Sequence, residues 1–571
     1  MDDAFLPGAG ESKLLTLLPA EVLHHILQFL PPADLVLRVP CVCSALHAFI
    51  KGNRNLFRQV YLDVLDEPTD NTGLNWEQEV RDLVRLETIC NRQAAADKVR
   101  FKRIIPRNHL YHQRTSTETH QRHELDFVHH IVTHLLKNAS PSDESVNPSR
   151  THATSRNAAL LQRIFRDGTT SEAFLQRSSL FERVRDHHHH SASAAPQSIN
   201  ADRRAIQQKS AHLHCLHGRP ILNAGRLRSH RTYPFACSKV YDMREYTMNS
   251  RWGPFLADGS DGVDWEKVEA ILVVLSNNVG PRRKVPQIFG EIWDKPFSGS
   301  WSDSFKVPPP HDLTSLEARD PYGVTGTWYR IVCFLDYSDF FAFNFPDHDF
   351  VAPDAPRPAL DVGEATRLIM LRLQVTSIQN PGPDDGQDLP VVHFKGISRS
   401  LDDSFDHNAN SHIRAFASKG TVRLTREGEV RWTTFSIFHG VERWRSEGVQ
   451  IGGVRSARGV VGNWFDRDYD DHGPAGPTAF WKVGTADQVA NMEDDLLPNA
   501  LFLPYAALID MDAEIDLEAD MSYNSDDEDE EDDDDDEMDG EELSELLHDA
   551  ELPLTDVGVS DLIIVHHQHH E

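Results

Sequence analysis

The sequence predicts an α+β protein. Short N-terminal helices and a helical linker region lead into an antiparallel β-barrel or sandwich-like domain, followed by a disordered acidic tail. Three observations predict this order. Apolar residues fall three and four apart as far as Leu136, which is helical spacing. From about Arg231 aromatics, Val and Gly rise and turn signals recur, the texture of short strands. After Lys482 the chain carries no Lys or Arg at all.

Residues 1–13 read as a flexible leader and residues 14–62 as a compact helical unit. Within Leu18–Leu30 (LPAEVLHHILQFL), Val22, Leu23, Ile26, Leu27 and Leu30 form one wide apolar stripe. Pro19 suits a first helical turn, where its missing N–H costs nothing, and Pro31-Pro32 ends the helix. Asp34-Leu35 opens a second short helix with Val36 and Val39; Val42–Phe49 forms a third, and Leu56-Phe57 closes the unit. So small a unit cannot bury this much Leu and Val alone. The excess either docks on a partner or caps the rest of its own chain.

Residues 63–230 read as a helical linker, with helical spacing over Trp76–Ile89, His123–Leu136, Ala158–Phe165 and Ala173–Val184. A Ser-, Arg- and His-rich stretch that includes His187–His190 reads as a mobile insertion. Residues 231–485 read as the β-rich domain. Ala270–Leu275 fits a buried strand or the end of a helix begun at Asp264, and periodicity does not separate the two. Gly326–Phe345 reads as two strands joined at Asp336–Asp339. Leu368–Ser377, Val391–Ile397, Gly420–Thr425, Glu429–Ile437, Val441–Arg445, Val449–Gly452 and Gly459–Trp464 read as further short strands, with Glu427-Gly428 as a hairpin tip. Residues 486–571 form the tail, where Asp526–Glu537 is an unbroken acidic run that self-repulsion should keep disordered.

Charge excludes some functions. Of 89 acidic residues in the 571, 31 follow Lys482, so residues 1–482 carry 58 acidic against 57 basic side chains. The net charge of −32 therefore resides in the tail. A nearly neutral folded part predicts no nucleic-acid partner. No apolar run approaches the ~18 residues of a membrane span, and the N-terminus lacks a signal peptide's basic and apolar regions. A cytoplasmic or nuclear location is the expectation. The six cysteines form no Cys-x-x-Cys pair and read as reduced thiols.

The run Leu-Pro-x-Glu-x-Leu-x-x-Ile-Leu-x-x-Leu from Leu18, followed by Asp34-Leu35, Val42-Cys43 and Leu56-Phe57, resembles the F-box. Leu46 stands where that family often has Trp, and Pro40 interrupts a usually helical stretch. The resemblance implies binding to the Skp adaptor and, through it, to a cullin-based ubiquitin ligase. Carried over to this chain, the adaptor surface comprises Leu18, Pro19, Val22, Leu23, Ile26, Leu27, Leu30, Leu35, Val39, Val42 and Leu46. Phe394-Lys395-Gly396 and the Trp-rich stretch Gly420–Trp481 resemble the C-terminal β-domain of a substrate-receptor subgroup of F-box-only proteins, with Ser238–Thr247 and Asn249–Phe255 similar to its fungal members. That resemblance implies a protein substrate held by the barrel.

From the residues themselves, Arg431-Trp432 and Arg443-Trp444-Arg445 are candidate substrate contacts, since Trp and Arg dominate binding hot spots. The competing reading puts the Trp residues in the barrel core and pairs the Arg residues with Glu429, Glu442 and Glu447. No phosphate loop and no nucleophile elbow is present, and no catalytic residue or cofactor is expected. His212, His214, Cys215, His217 and Cys237 offer zinc-capable atoms at a spacing that fits no standard finger, so no metal is expected. Asp466, Asp468, Asp470 and Asp471 beside His472 read as a polar rim. The expected function is a non-catalytic substrate-recognition subunit of a Skp–cullin–F-box ubiquitin ligase. Two alternatives remain: a small-molecule-binding or hydrolytic barrel using His439 or His472, and an acidic-tail binder of basic proteins.

Overall fold

A computed structural model describes residues 18–68, 73–100, 114–140, 152–153, 155–188, 201–217, 227–279, 305–306, 316–346, 356–400, 415–438, 440–454, 456 and 459–484. The leader, most of the His-rich insertion, His439 and the acidic tail lie outside the described residues.

Helix α1 (Ala20–Leu27) starts behind Pro19 and turns Leu23 and Leu27 inward. The expected second helix is a π turn, Asp34–Arg38, running into a 3-10 turn, Val39–Cys41. Pro40 explains the change, because it has no N–H to extend an α-helical ladder. Helices α2 (Ser44–Ile50) and α3 (Arg54–Val64) complete the unit, and the Asn53 side chain caps α3 by accepting from Leu56 N at 3.2 Å. Leu35, Leu46, Ile50, Leu56 and Phe57 fill its centre.

The unit does not stand apart. Its core runs on into α4 (Trp76–Arg100), where Tyr61 and Trp76 meet edge to face with ring centroids 5.2 Å apart. Buried Asp66, just beyond α3, ties it to the next helices, α5 (Arg114–Lys137) and α6 (Arg156–Phe165). The Asp66 carboxylate accepts from Arg156 N at 2.8 Å and Ser140 N at 3.1 Å. Asn157 accepts from Asp66 N and donates to Leu135 O, both at 2.9 Å. Helices α7 (Gly168–Leu175), α8 (Ser179–His188) and α9 (Ala201–His217) continue the layer. His152–Ala153 (β1) pairs with Phe305–Lys306 (β2) beside it.

Two more helices precede the barrel, in a stretch expected to be β-rich: α10 (Leu227–Val240) and α11 (Trp265–Val279). The Ala270–Leu275 ambiguity resolves as helix. All six of those residues are buried because α11 is covered on both sides, by helices and by the barrel wall. Buried Glu364 locks this junction: Tyr233 Oη donates to it at 2.7 Å, Asn278 Nδ2 at 2.6 Å, and Tyr241 Oη donates as well.

The barrel is closed and antiparallel. Its strands are β3 (Gly326–Leu335), β4 (Glu364–Gln379), β5 (Val391–Ser400), β6 (Ala415–Leu424), β7 (Val430–Phe438), β8 (Val441–Gln450), β9 (Val460–Asp466) and β10 (Ala475–Gly484). Each pairs with the next, and β10 pairs with β3, so no sheet edge is left open. Glu427-Gly428 does form a hairpin tip, with Gly428 at φ +88°. The second strand expected within Gly326–Phe345 is instead helix α12 (Tyr337–Asn344), started by Asp336, whose side chain accepts from Ser338 N at 2.9 Å. Glycines let the strands coil tightly. A Cβ on Gly420 would lie 2.2 Å from Thr433 O and 2.6 Å from the Phe394 ring.

Candidate functional site

Two surfaces carry the residues singled out in the sequence. The first is the N-terminal unit. Its apolar set divides by side of the helix, as the 3.6-residue period requires. Leu23, Leu27, Leu35 and Leu46 are buried and hold the unit together. Leu18, Val22, Ile26 and Val42 are exposed, at 37%, 44%, 43% and 71%. Pro19 is exposed too, and Leu30 and Val39 are half-buried. The sequence reading missed two members of the exposed set: Phe29, 70% exposed, and Leu37, 54% exposed. Phe29 was legible as the next step of the series 18, 22, 26, 29 along one helix face. An open groove of about 420 Å³, lined by His24, Asn55, Arg58, Gln59, Leu62 and Asp63, flanks this unit with polar groups.

Burying an exposed Val, Leu, Ile or Phe completely contributes about 1.5–3 kcal/mol. Six such side chains, each partly covered already, form an apolar surface whose further burial would favour docking in an apolar groove. Val22 and Ile26 lie on one face of α1, the spacing that helix-in-groove recognition uses, and Leu18, Phe29, Leu37 and Val42 flank them.

The second surface is the barrel. Strand alternation sends Trp328, Arg330, Trp432, Thr434, Trp444, Ser446, Thr478 and Phe480 inward. Trp328, Trp432, Phe394 and Phe480 fill one end, with neighbouring ring centroids 5.2–5.8 Å apart. Trp432 is therefore core, 1% exposed, and its indole N–H donates to Gln450 Oε1 at 3.2 Å. Arg431 and Arg445 lie on the outer wall and converge on Glu447, which is completely buried. Arg431 Nε donates to Glu447 at 2.8 Å and Arg445 Nη2 at 2.6 Å, while Thr433 Oγ1 donates at 3.0 Å. The turn around Trp252 and Phe255 covers this cluster: a Cβ on Gly253 would touch Glu447 Cβ at 2.8 Å. Of the five barrel candidates, Arg443 is exposed and Trp444 half-buried, at the open end of the barrel. Trp444 meets Trp464 edge to face at 5.2 Å, and the Arg443 guanidinium lies 5.3 Å from the Trp444 ring centroid.

The other chemistry-bearing groups have structural duties. His212 stacks on Trp265 with centroids 3.7 Å apart, and buried His214 bonds Glu269 through Nδ1 at 2.5 Å. Cys237 lies in the α10 core, where burial and the Glu364 charge push its thiol up. Among the described residues no group of three or more His, Cys, Asp or Glu is placed to hold a metal ion. Asp466 and Asp470 accept from the backbone N–H of Asp468 and His472, both at 2.9 Å, and shape the rim loop. His472 is exposed, its ring 4.6 Å from that of Phe345. Among the described residues no helix is long and apolar enough to cross a membrane.

Comparison with known families agrees with the first surface. A family model described as F-box-like matches residues 15–63, the span of the N-terminal helical unit. The chain thus carries an F-box-like domain, which supports an adaptor-binding role of the Skp–cullin–F-box type. No curated protein and no solved structure matches the chain.

Proposed function

We propose that this chain is the non-catalytic target-recognition subunit of a Skp–cullin–F-box ubiquitin ligase. The observation that carries the reading is the exposed stripe Leu18, Val22, Ile26 and Phe29, extended by Leu37 and Val42, on the F-box-like domain. Four buried leucines hold that stripe in place, so it is preorganised for an adaptor groove. The Skp adaptor binds there and links the chain to a cullin. The continuous core from α1 through α4 and α11 to the barrel makes the linker a rigid spacer. A protein target binds the open end of the barrel at Arg443 and Trp444, and ubiquitin transfer follows from proximity. This role places the protein in the cytoplasm, the nucleus or both.

Co-expression of the full chain with a Skp adaptor and a cullin tests the reading. The expected result is one particle holding all three in equal amounts on size exclusion. A chain that takes the adaptor yet excludes the cullin would contradict the ligase assignment.

A further inference from the structure

Among the described residues, one strong charge inside the barrel has no counter-charge. Arg330 lies on the inner face of β3, 5% exposed, and its described partners are hydroxyls alone. Nε donates to Thr478 Oγ1 at 3.0 Å and Nη2 to Ser446 Oγ at 2.8 Å. Burial pushes the guanidinium down to about 10, and no carboxylate among the described residues offsets that. A buried cation without an acid is costly, and native interiors pair such charges.

The surroundings repeat the imbalance. Thr478 Oγ1 already donates to Ile331 O at 2.9 Å. Ser446 and Thr434 share one hydrogen bond at 2.6 Å, and Ser398 and Ser418 share another. In each pair one hydroxyl proton is left without an acceptor among the described residues. The Ser436 hydroxyl, on the same inner face, and Arg330 Nη1 also donate to no described residue. The middle of the barrel thus holds a surplus of donors around a fixed positive charge. Towards the open end it is rimmed by half-buried Phe334, Trp444 and Trp464. An eight-stranded barrel has an interior just wide enough for side chains or for one small ligand.

We propose that the barrel binds a small organic acid, with its carboxylate on Arg330 and the Thr434, Ser436 and Ser446 hydroxyls and its apolar body against the aromatic rim. The carboxylate supplies the acceptors and the negative charge that the described residues around Arg330 lack. The site is separate from the adaptor surface and does not depend on a protein target being held at the open end.

Calorimetric titration of the full chain tests this, with phenylacetate, naphthalene-2-acetate and dodecanoate as probes and the matching neutral alcohols as controls. At least one acid should bind one to one and at least about tenfold tighter than its alcohol, the scale of a charge-assisted hydrogen bond. Arg330→Gln should erase that preference. Ser436→Leu keeps Arg330, replaces a hydroxyl of the same inner face with a larger apolar group and should weaken the acid by about tenfold or more; it decides the matter if Arg330→Gln fails to fold. The proposal is overturned if no acid binds, if acid and alcohol bind equally, or if either folded variant binds the acid as the wild type does. Adaptor capture should be the same in wild type and both variants, so failure here is distinguishable from failure of the ligase reading.

Discussion

Glu447→Gln should destabilise the barrel by about 3 kcal/mol. Glu447 has no exposed side-chain surface, and it faces two guanidiniums and a threonine hydroxyl. The amide keeps the Thr433 bond and removes the charge that holds Arg431, whose side chain is only 9% exposed. Breaking a buried pair by neutralising one partner costs about 3–5 kcal/mol. Arg445 relieves part of this, since its side chain is 21% exposed and can turn towards water. An expected loss of about 3 kcal/mol converts to a fall in melting temperature of roughly 6–12 °C for a unit of this size. Tryptophan fluorescence during thermal unfolding reads it directly, because Trp252 packs beside the cluster and Trp432 sits within the same strand pair. A loss below about 1 kcal/mol would refute the claim that Arg431 and Arg445 are structural cations held by Glu447. It would return both to the pool of target contacts.

Three further outcomes follow from the same packing. His129→Gln should flatten the acid end of the stability profile: burial and the Lys209 charge hold the His129 imidazole down at about 4, against an ordinary value near 6.5. The unfolded chain then takes up a proton that the folded one refuses between pH 6.5 and 4, so folding weakens as pH falls through that window. The variant should lack up to about 3 kcal/mol of that loss in urea titrations at pH 4 and pH 7. Gly420→Ala should destabilise the barrel by about 1–3 kcal/mol, because the new methyl meets Thr433 O and the Phe394 ring; an unchanged melting temperature would contradict the packing. Leu35→Ala should cost about 2–5 kcal/mol, whereas Phe29→Ser, at a 70% exposed position, should leave the melting temperature within about 2 °C.

Much of the fold was legible because local signals and tertiary structure agree over most of the chain. The stripe in Leu18–Leu30 gave α1, and alternation with Gly turns gave the β-rich region, down to the Gly428 tip. Helix α12 was hidden because its run of Phe residues carries β-propensity; the helix depends on the Asp336 cap and on burial of Phe340. Helix α10 was obscured by Pro234, which sits inside it and whose carbonyl accepts from Leu360 N at 2.9 Å. The candidate sites were harder. Both sides of α1 are apolar, so periodicity located the stripe without separating Leu23, which is core, from Val22, which is exposed. Pairing of Arg431 and Arg445 with Glu447 was one of two readings open in the sequence, and the strand register decides for it by placing Glu447 between them. Arg330 gave no signal, because a charge inside an apolar strand is silent until closure of the barrel shows which way it points.

Adaptor capture by a surface variant decides whether the exposed stripe is the docking face. Val22→Asp/Ile26→Asp changes two exposed side chains and leaves Leu23 and Leu27 in the core, so the unit should keep its fold. Placing two charges in an apolar groove should weaken Skp adaptor binding at least about a hundredfold. The wild-type chain should form a one-to-one complex and the variant none, at matching melting temperatures. Equal capture by both chains would contradict it and remove the exposed stripe from the adaptor surface.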